Sequence, residues 1–269
     1  MNFPVIEMFY SIQGEGKYMG VPSFFVRVAG CNLRCVFKDS ICDTPYSSFK
    51  PEKSQYKSMD DIVDNFMKMR LEHPDVNHLV ITGGEPMLYQ RGMFEFIQRV
   101  CYCSDYEDTI TTRALQITIE TNGTQDPSSF MKDYKSLRYD TYVLFSLSPK
   151  LSSSVDKEGK HISLNEAQRH DRERIKIDIL KKYVYDYSVD IQLKFVYSGE
   201  ECIQEIKNIM NQLNDNLINN DNCVYLMPEG TTIEQMNTKG KECVEQCLKY
   251  GWKFAPRLHI LIWGDKRGV

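Results

Sequence analysis

Short apolar runs alternate with amphipathic stretches along the chain, and this alternation restricts the fold more than any other feature of the sequence. Strands that alternate with helices usually run parallel and are joined by right-handed crossovers. The pattern therefore predicts an α/β fold whose parallel strands form either a doubly wound sheet or an incomplete α/β barrel. The runs are rich in β-branched and other apolar residues, which predicts buried strands at Ser23–Val28, Leu79–Thr82, Gln116–Thr121, Tyr142–Leu147, Ile191–Val196, Cys223–Met227 and Leu258–Trp263.

Helical periodicity fills the segments between these runs. Ser58 and Asp61 form a capping-box-like start for the first helix, with Asp where Glu or Gln is usual. We expect four further helices, near Met93–Cys103, Asn165–Tyr183, Glu200–Leu213 and Thr232–Tyr250. Gly240 weakens the prediction for the last of them, because glycine disfavours a helix interior. Residues 151–188 are rich in charge and predict a solvated helix. No repeat or Gly/Ser linker divides the chain, so we expect one domain over residues 1–269.

The composition is that of an ordinary globular protein, with 42% hydrophobic and 26% charged residues. Lysine and arginine total 33 against 37 aspartates and glutamates, and the net charge of −4 disfavours binding along a nucleic-acid backbone. No apolar stretch approaches the length of a membrane span, and the N-terminus lacks the positive region of a secretory signal. We therefore expect a cytoplasmic protein whose nine cysteines are buried thiols or metal ligands rather than disulfides.

Three of these cysteines, Cys31, Cys35 and Cys42, lie within twelve residues on a loop that leaves the first predicted strand. This arrangement is typical of a metal site. Structural zinc normally takes four ligands, and the nearest histidines, His73 and His78, are better explained as ordinary core or surface residues. Three thiolates suit a [4Fe–4S] cluster with one iron left open for substrate or cofactor. A non-catalytic zinc- or cluster-binding module remains the alternative from a different class.

The second predicted strand runs into Gly83-Gly84-Glu85-Pro86. Glycine lets the backbone approach a small ligand closely. Backbone amides and carbonyls, together with the Glu85 carboxylate, are suited to hold an ammonium and a carboxylate group. A plain turn at the end of a strand is the alternative interpretation of this segment.

Together these motifs resemble the radical S-adenosylmethionine superfamily, and more narrowly the 7-carboxy-7-deazaguanine synthase family. Glycyl-radical activases, the runner-up within the superfamily, lack the early Gln-Gly-Glu-Gly and the late Leu-His elements that this chain carries. The resemblance implies an incomplete TIM-type barrel of parallel strands with outer helices. It covers nearly the whole chain, through segments 7–16, 25–35, 42–44, 82–86, 119–124, 148–150, 193–196, 226–230 and 257–264.

One departure from the superfamily pattern concerns the third cysteine. The usual spacing is C-x3-C-x2-C, whereas this chain has C-x3-C-x6-C, with Lys38 at the usual third position. Lysine is protonated near neutral pH and does not suit iron. Cys42 keeps the family context in Cys-Asp-Thr, so we assign it as the third ligand and expect the extra residues to bulge outward. Ile41 then occupies the position of the aromatic residue that usually lies near the adenine.

The resemblance implies three cofactors: a [4Fe–4S] cluster on Cys31, Cys35 and Cys42, S-adenosylmethionine, and Mg²⁺ held by Thr44. The residues it implies for S-adenosylmethionine follow the ends of successive strands. They are Gly83, Gly84, Glu85 and Pro86 at the methionine amino group, Glu120 and Asn122 at the ribose, and the runs Ser148-Pro149-Lys150 and Met227-Pro228-Glu229-Gly230. The last two runs are also compatible with simple strand-end turns.

The resemblance further implies that 6-carboxy-5,6,7,8-tetrahydropterin is converted into 7-carboxy-7-deazaguanine with loss of ammonia, in queuosine-type deazapurine biosynthesis. It implies a homodimer and an electron donor such as flavodoxin or ferredoxin. Arg27 suits the substrate carboxylate, because a guanidinium is a planar, always charged donor. The implied substrate contacts are Ile12, Gln13, Gly14, Glu15, Arg27, Thr82, His259 and Val269, the last through its carboxylate.

Overall fold

The structure is a computed structural model, and it describes residues 3–38, 40–102, 115–134, 136–137, 141–186, 189–213 and 223–269. Its strands are short and mostly buried. They are β1 (Val5–Ile12), β2 (Pro22–Val28), β3 (Val36–Phe37), β4 (Ser40–Ile41), β5 (His78–Gly83), β6 (Gln116–Thr121), β7 (Tyr142–Leu147), β8 (Asp190–Tyr197), β9 (Val224–Pro228) and β10 (Lys253–Phe254).

One sheet contains all of these strands except β3 and β4, which form a small separate hairpin between the second and third cysteines. The spatial order is β1-β2-β5-β6-β7-β8-β9-β10. Neighbours from β2 to β10 are parallel, as the alternating pattern predicts. Among the described residues no ladder joins β10 back to β1, so the barrel is incomplete, which confirms the expected fold class. The antiparallel edge strand β1 was not among the predicted strands.

Nine α-helices lie within the described part of the chain, and they pack mainly outside the sheet. Ser58 and Asp61 form the predicted capping box at the start of the second helix. The helices are α1 (Pro45–Ser48), α2 (Met59–Glu72), α3 (Gln90–Cys101), α4 (Ser128–Tyr134), α5 (Leu164–Glu173), α6 (Ile177–Lys181), α7 (Glu201–Gln212), α8 (Ile233–Tyr250) and α9 (Leu258–Trp263).

The main hydrophobic core lies between the sheet and these helices. Val26 of β2 and Ile81 of β5 share this core with Phe66 of α2 and Phe96 of α3, and all four side chains are fully buried. Successive side chains of a strand point to opposite faces, so the alternate residues face the interior of the barrel. These interior positions are unusually polar. Near the amino ends of the strands His78 bonds Ser23 (Nδ1 to Oγ, 2.7 Å) and Thr118 (Nε2 to Oγ1, 2.9 Å).

Two of the secondary-structure predictions were wrong. Leu258–Trp263 is the short helix α9 and not a strand, because a six-residue apolar run fits either structure and tertiary contacts decide. Asn165–Tyr183 is not one helix: α5 ends at Glu173, α6 follows, and residues 182–186 form a π-helical turn. Arg174 lies at the break and bonds Asp171, Glu205 and the Lys150 carbonyl. Gly240 does not interrupt α8, since it is buried and faces Phe254.

The segment 151–188 is not a solvated helix throughout, contrary to its composition. It buries Leu151, Asp156, His170, Leu180 and Tyr183 against the rest of the protein. The carboxylate of Asp156 accepts the backbone N–H groups of residues 160, 161 and 162, which closes a tight loop before α5. This segment is therefore part of the packed structure.

The cysteines outside the cluster loop serve as core residues where they are described. Cys202, Cys223, Cys243 and Cys247 are buried, as predicted, and Cys101 ends α3. Cys103 lies outside the described residues. None of the helices in the described ranges combines the length and apolar character needed to cross a bilayer.

Candidate active site

A cavity of about 260 Å³ opens at the carboxyl ends of the strands, where parallel α/β folds place their functional groups. The loops that follow β1, β2, β5, β6, β7 and β9 contribute to its wall, and α9 closes one side. Most of the residues that the sequence singled out line it: Ile12, Gln13, Gly14, Glu15, Arg27, Cys31, Cys35, Cys42, Thr44, Thr82, Gly83, Gly84, Glu120, Asn122, Ser148, Lys150, Met227, Pro228, Glu229, Gly230, His259 and Val269.

The three cysteines of the loop meet at one end of this cavity. The backbone N–H of Cys42 donates to the Cys35 carbonyl at 3.0 Å, which brings the third cysteine back to the first two across the β3–β4 hairpin. The six intervening residues are thus accommodated by a short hairpin. Burial, and next the Glu85 carboxylate, raise the pKa of Cys31 to about 12, and burial also raises the pKa of Cys35 and Cys42. A metal must displace these protons, because the thiolate is the ligand.

The donor set fits an iron–sulfur cluster better than a single metal ion. Within the described ranges, no three His, Cys, Asp or Glu side chains converge closely enough to hold one ion. In a [4Fe–4S] cluster each thiolate binds a different iron, so the three sulfurs need only surround a larger group. Cys31, Cys35 and Cys42 line one cavity in that way, and three ligands leave one iron open. Three thiolates therefore suit a cluster, whereas structural zinc normally takes four ligands.

The two glycines after β5 line the cavity, and the structure shows a further reason why both positions require glycine. A Cβ on Gly83 would lie 2.3 Å from the Val28 carbonyl oxygen, and the φ of Gly83 is +132°. A Cβ on Gly84 would lie 2.0 Å from the Gly30 carbonyl oxygen. Glycine is therefore required here because the backbones of the β5 turn and the cysteine loop touch, which fixes the turn against the loop.

Glu85 and Pro86 do not line the cavity, contrary to the expectation for the whole motif. The Glu85 side chain is fully buried and accepts hydrogen bonds from Thr121 Oγ1 (2.6 Å), Asn122 N (2.7 Å) and Met87 N (3.0 Å). Burial raises its pKa above the ordinary value for Glu, although these bonds oppose the change. Glu85 therefore ties the end of β5 to the end of β6 from behind the cavity wall.

Glu120 and Asn122 both face the cavity at the end of β6. Glu120 accepts a hydrogen bond from Thr82 Oγ1 at 2.7 Å and lies 3.7 Å from the Lys194 ammonium. The Asn122 amide donates to Asn32 Oδ1 at 3.0 Å, and Asn32 belongs to the cysteine loop. The strand ends are therefore coupled to the loop that carries the first two cysteines.

Two further runs reach the cavity from β7 and β9. Lys150 Nζ donates to Ser148 Oγ at 3.0 Å, and both side chains line the wall, whereas Pro149 is buried behind them and does not. The residues Met227 to Gly230 all line the wall, and Thr231 follows them there. The segments that follow β7 and β9 therefore contribute side chains to the cavity wall.

Arg27 and Thr44 reach the site from the side of β2. Arg27 Nε donates to Glu7 Oε1 at 2.5 Å, so one edge of its guanidinium is occupied and the rest faces the cavity. Thr44 is the N-cap residue of α1, but its hydroxyl makes no capping bond. That hydroxyl lies 3.6 Å from Cys42 Sγ, at the cavity wall.

Ile41 does not face the cavity, contrary to its expected place near the adenine. Its side chain packs beside Val36, Ile162 and Ala167 outside the site. Phe37, on the opposing strand of the hairpin, lines the cavity instead. Side chains alternate between the two faces of each short strand. In this hairpin Phe37 therefore points into the cavity, and Ile41 points away from it.

A network of charges lines the cavity, and most of it was missed from the sequence. Its members Glu15, Lys194 and Arg257 are largely buried, whereas Asp43 is exposed. Glu15 bonds Lys194 Nζ at 2.5 Å and Arg257 Nε at 3.2 Å, and Arg257 also bonds Asp43 at 2.6 Å. Burial alone would raise the pKa of Glu15, but Lys194 and then Arg257 outweigh it and hold the pKa well below its usual range. The carboxylate of Glu15 is therefore ionised and fixed in position.

His259 lies against this network at the start of α9. Its ring covers Gly14 so closely that a Cβ there would lie 2.2 Å from His259 Nδ1, and the Leu258 N–H donates to the Gly14 carbonyl at 2.9 Å. Burial lowers the pKa of His259 below its ordinary value. The helix α9 thus seals the loop that carries Gln13, Gly14 and Glu15.

The signal for Lys194 was a charged residue in the middle of a mostly apolar strand. Lys194 stands alone in the β8 run Ile191–Val196, which is what an inward-facing charged residue of a barrel looks like in sequence. Asp43 adjoins Cys42 and Thr44, which were selected, and Arg257 lies two residues before His259. The cavity-lining residues that were not predicted are Phe9, Phe25, Leu33, Phe37, Asp43, Ser48, Thr121, Ser146, Lys194, Val196, Thr231 and Arg257.

Comparisons with known proteins agree with this geometry. The Radical SAM superfamily model matches residues 25–182. The 7-carboxy-7-deazaguanine synthase of Halobacterium salinarum is 35% identical over 97% of this chain and 91% of its own length. The protein of the same name from Rhodopirellula baltica is 34% identical over 98% of this chain and 88% of its own length.

The crystal structure of QueE from Escherichia coli shares the fold, with a TM-score of 0.54 and 20% identity over 96% of this chain and 94% of that chain. The superfamily model spans more than half of the chain, and the relatives span nearly all of it. The chain therefore belongs to the radical SAM superfamily and, within it, to the 7-carboxy-7-deazaguanine synthase family.

Proposed function

We propose that this radical SAM lyase converts 6-carboxy-5,6,7,8-tetrahydropterin into 7-carboxy-7-deazaguanine with loss of ammonia. The observation that carries this proposal is a single cavity with two chemically different ends. One end holds three thiols beside the Gly83-Gly84 turn, of which Cys35 is buried and the other two are half-buried, and the other end holds the ionised Glu15 with Lys194 and Arg257. A cofactor-binding end and a fixed polar end in one cavity suit a small polar substrate held beside a reactive cofactor.

When bound, the cluster and S-adenosylmethionine supply the one-electron chemistry that the protein itself lacks. The residues of this chain bind and orient the reactants. Cys31, Cys35 and Cys42 hold the cluster. The Gly83-Gly84 backbone, with Glu120 and Asn122, is placed to receive S-adenosylmethionine at the ends of β5 and β6.

The polar end matches the aminopyrimidinone edge and the carboxylate of the pterin. Gln13 is only 4% exposed, and its side-chain oxygen accepts the Glu15 N–H at 3.1 Å, which fixes this loop before substrate arrives. The ionised Glu15 accepts hydrogen bonds from the substrate N–H groups. Arg27 donates to the carboxylate through the edge of its guanidinium that Glu7 leaves open.

Anaerobic turnover tests the function directly. Reconstituted protein is incubated with the pterin, S-adenosylmethionine and a reductant, and the products are identified by mass. We expect 7-carboxy-7-deazaguanine, ammonia and cleaved S-adenosylmethionine. Cleavage of S-adenosylmethionine with the pterin left unchanged would contradict the substrate assignment and favour another radical SAM activity.

We propose further that Thr44 binds Mg²⁺, which orients the substrate. Its hydroxyl is not used as a helix cap and faces the cavity next to Cys42. Mg²⁺ keeps several waters and takes few protein ligands, so one hydroxyl is sufficient when the substrate supplies the others. Mg²⁺ held by Thr44 would supply Lewis-acid stabilisation of negative charge on the substrate.

Thr44→Ala is expected to keep the cluster and the affinity for S-adenosylmethionine but to lose about 10–100-fold in turnover, the usual scale for removing a metal-site partner. Stimulation by Mg²⁺ should disappear with it. Thr44→Ser keeps the hydroxyl and should retain most of both. Initial rates with and without Mg²⁺ measure this, and equal stimulation in wild type and Thr44→Ala would exclude the metal role.

The protein is also proposed to be a homodimer that receives electrons from a flavodoxin or ferredoxin. Leu261, Ile262 and Trp263 leave apolar surface exposed on α9 and supply area for such contact. Light scattering at micromolar concentration should give twice the 31.4 kDa mass of the chain. A mass of one chain would contradict the dimer.

A further inference from the structure

A buried histidine outside the cavity contacts the cysteine loop. His170 lies on α5 in the segment whose composition predicted a solvated helix, yet it is only 2% exposed. Its Nδ1 accepts the backbone N–H of Arg34 at 3.2 Å. Its Nε2 lies 3.0 Å from Ser154 Oγ. Both ring nitrogens therefore have partners, and one of those partners stands between Cys31 and Cys35.

The partners fix the tautomer of this ring. A backbone N–H only donates, so Nδ1 of His170 carries no proton and accepts from Arg34. The hydroxyl of Ser154 donates its hydrogen to the Leu151 carbonyl at 2.7 Å, so it accepts from Nε2–H of the ring. A chain of hydrogen bonds thus runs from the end of β7 through a neutral imidazole to the cysteine loop.

Arg34 transmits this contact to the first two cysteines. Its guanidinium folds back and donates through Nη1 to the Cys31 carbonyl at 2.9 Å and to the Leu33 carbonyl at 2.8 Å. The guanidinium carbon also lies 5.5 Å from the centre of the Phe49 ring. The main chain of the loop is therefore held from both sides at Arg34, directly before Cys35.

The same segment supports the hairpin that leads to the third cysteine. Ile162 and Ala167 pack against Val36 of β3, and Ile41 and Phe49 pack on the same cluster. Residues 151–170 thus contact the chain on both sides of Cys35. A loop widened by a hairpin needs such external support, because the hairpin has only two residues in each strand.

We propose that His170 is a positioning residue for the iron–sulfur cluster, which holds the Cys31–Cys35 loop in the geometry that binds iron. The proposal rests on the assignment of the cluster to these cysteines. It does not depend on which substrate the enzyme converts. Removing a residue that orients metal ligands typically costs 10–100-fold in metal affinity.

Two conservative variants separate the two ends of the ring. In His170→Asn the side-chain oxygen replaces Nδ1 and can still accept the Arg34 N–H. In His170→Gln the amide extends toward Ser154 and leaves the Arg34 N–H without its acceptor. His170→Asn loses only the Ser154 contact, so we expect the reconstituted protein to release iron to a ferrous chelator only severalfold faster than wild type. His170→Gln and His170→Ala should release it about 10–100-fold faster, with a changed electron paramagnetic resonance spectrum of the reduced cluster.

His78→Asn and His78→Gln are the matched controls. His78 is an equally buried histidine with two hydroxyl partners, near the amino ends of the strands and away from the cysteine loop. These variants measure the cost of altering a buried imidazole in the same protein, and we expect wild-type iron release from them. Equal release from the His170 and His78 variants would overturn the proposal, as would wild-type release from His170→Gln.

Ser154→Ala keeps the test decisive if the His170 variants fold poorly. It removes the acceptor of Nε2–H but leaves the ring, so a severalfold faster release of iron is expected, and an unchanged rate would overturn the proposal. Failure of the proposed function gives a different result. A wild type that holds iron but leaves the pterin unchanged would refute the function, whereas the His170 comparison would still stand.

Discussion

Cys42→Ala is expected to abolish the iron–sulfur cluster, while Lys38→Ala keeps it. In the proposed assignment the cluster has three protein ligands, so the loss of one thiolate leaves two. Cys42 returns to Cys35 through a backbone hydrogen bond and lines the cavity, whereas Lys38 is exposed on the hairpin. Wild type should carry about four irons per chain after anaerobic reconstitution, and Cys42→Ala less than half of that amount.

Iron and sulfide analysis, together with the visible absorbance of the cluster, measures this result. Cys31→Ala and Cys35→Ala should behave like Cys42→Ala. Cys243→Ala is the matched control, because Cys243 lies on α8 and is buried in the hydrophobic core, outside the cavity. The iron content of this variant should equal that of wild type. A full complement of iron in Cys42→Ala would mean that the third ligand is another residue.

Lys194→Met is expected to cost more than any other substitution in the polar end of the cavity. The Lys194 side chain is 6% exposed and lies between Glu15 and Glu120. Removing one partner of a buried ion pair leaves an uncompensated charge and typically destabilises a protein by about 3–5 kcal/mol. Glu15 loses its principal cation as well, so its pKa rises and its fixed acceptor geometry is lost.

We therefore expect both a lower free energy of unfolding and a loss of pterin affinity of at least about tenfold, equivalent to about 1.4 kcal/mol. Denaturant unfolding and equilibrium pterin binding measure the two effects. Lys17→Met is the control, since its ion pair with Asp190 is exposed and such pairs contribute about 0–1 kcal/mol. Adding Glu15→Gln to Lys194→Met should recover stability but not affinity. Equal unfolding free energies for the two lysine variants would contradict the role of Lys194.

Local patterns predicted the parallel strands well because each is a short run rich in apolar or β-branched residues. The edge strand β1 was not predicted, since Val5–Ile12 includes Glu7 and only Val5 and Ile6 are buried. The helix α9 was mistaken for a strand because its six residues are too few to show a helical period. A tertiary contact between α9 and Gly14 distinguishes this helix from a strand, and a local sequence pattern does not reveal such a contact.

The cofactor end of the site was predictable and the polar end mostly was not. Cys31, Cys35 and Cys42 are close in sequence, so their spacing carries the information. Glu15 is paired with Lys194 and Arg257, which are 179 and 242 residues away. His170 was not predicted either. The charged residues around it suggest a solvated segment, although His170 itself is buried.

The contact between the loop at Gly14 and α9 determines when the site is completed. Glu15 precedes nearly all of the sheet in the sequence, and Arg257 and His259 follow it. Contacts with such large sequence separation form late, because chain closure must precede them. A nascent chain folds progressively as it leaves the ribosome, so it has all three cysteines and His170 long before Arg257 is synthesised. The cysteines assigned to the cluster are therefore present in the growing chain before the polar network can be completed, and a chain interrupted before Arg257 keeps the three cysteines but lacks Arg257 and His259.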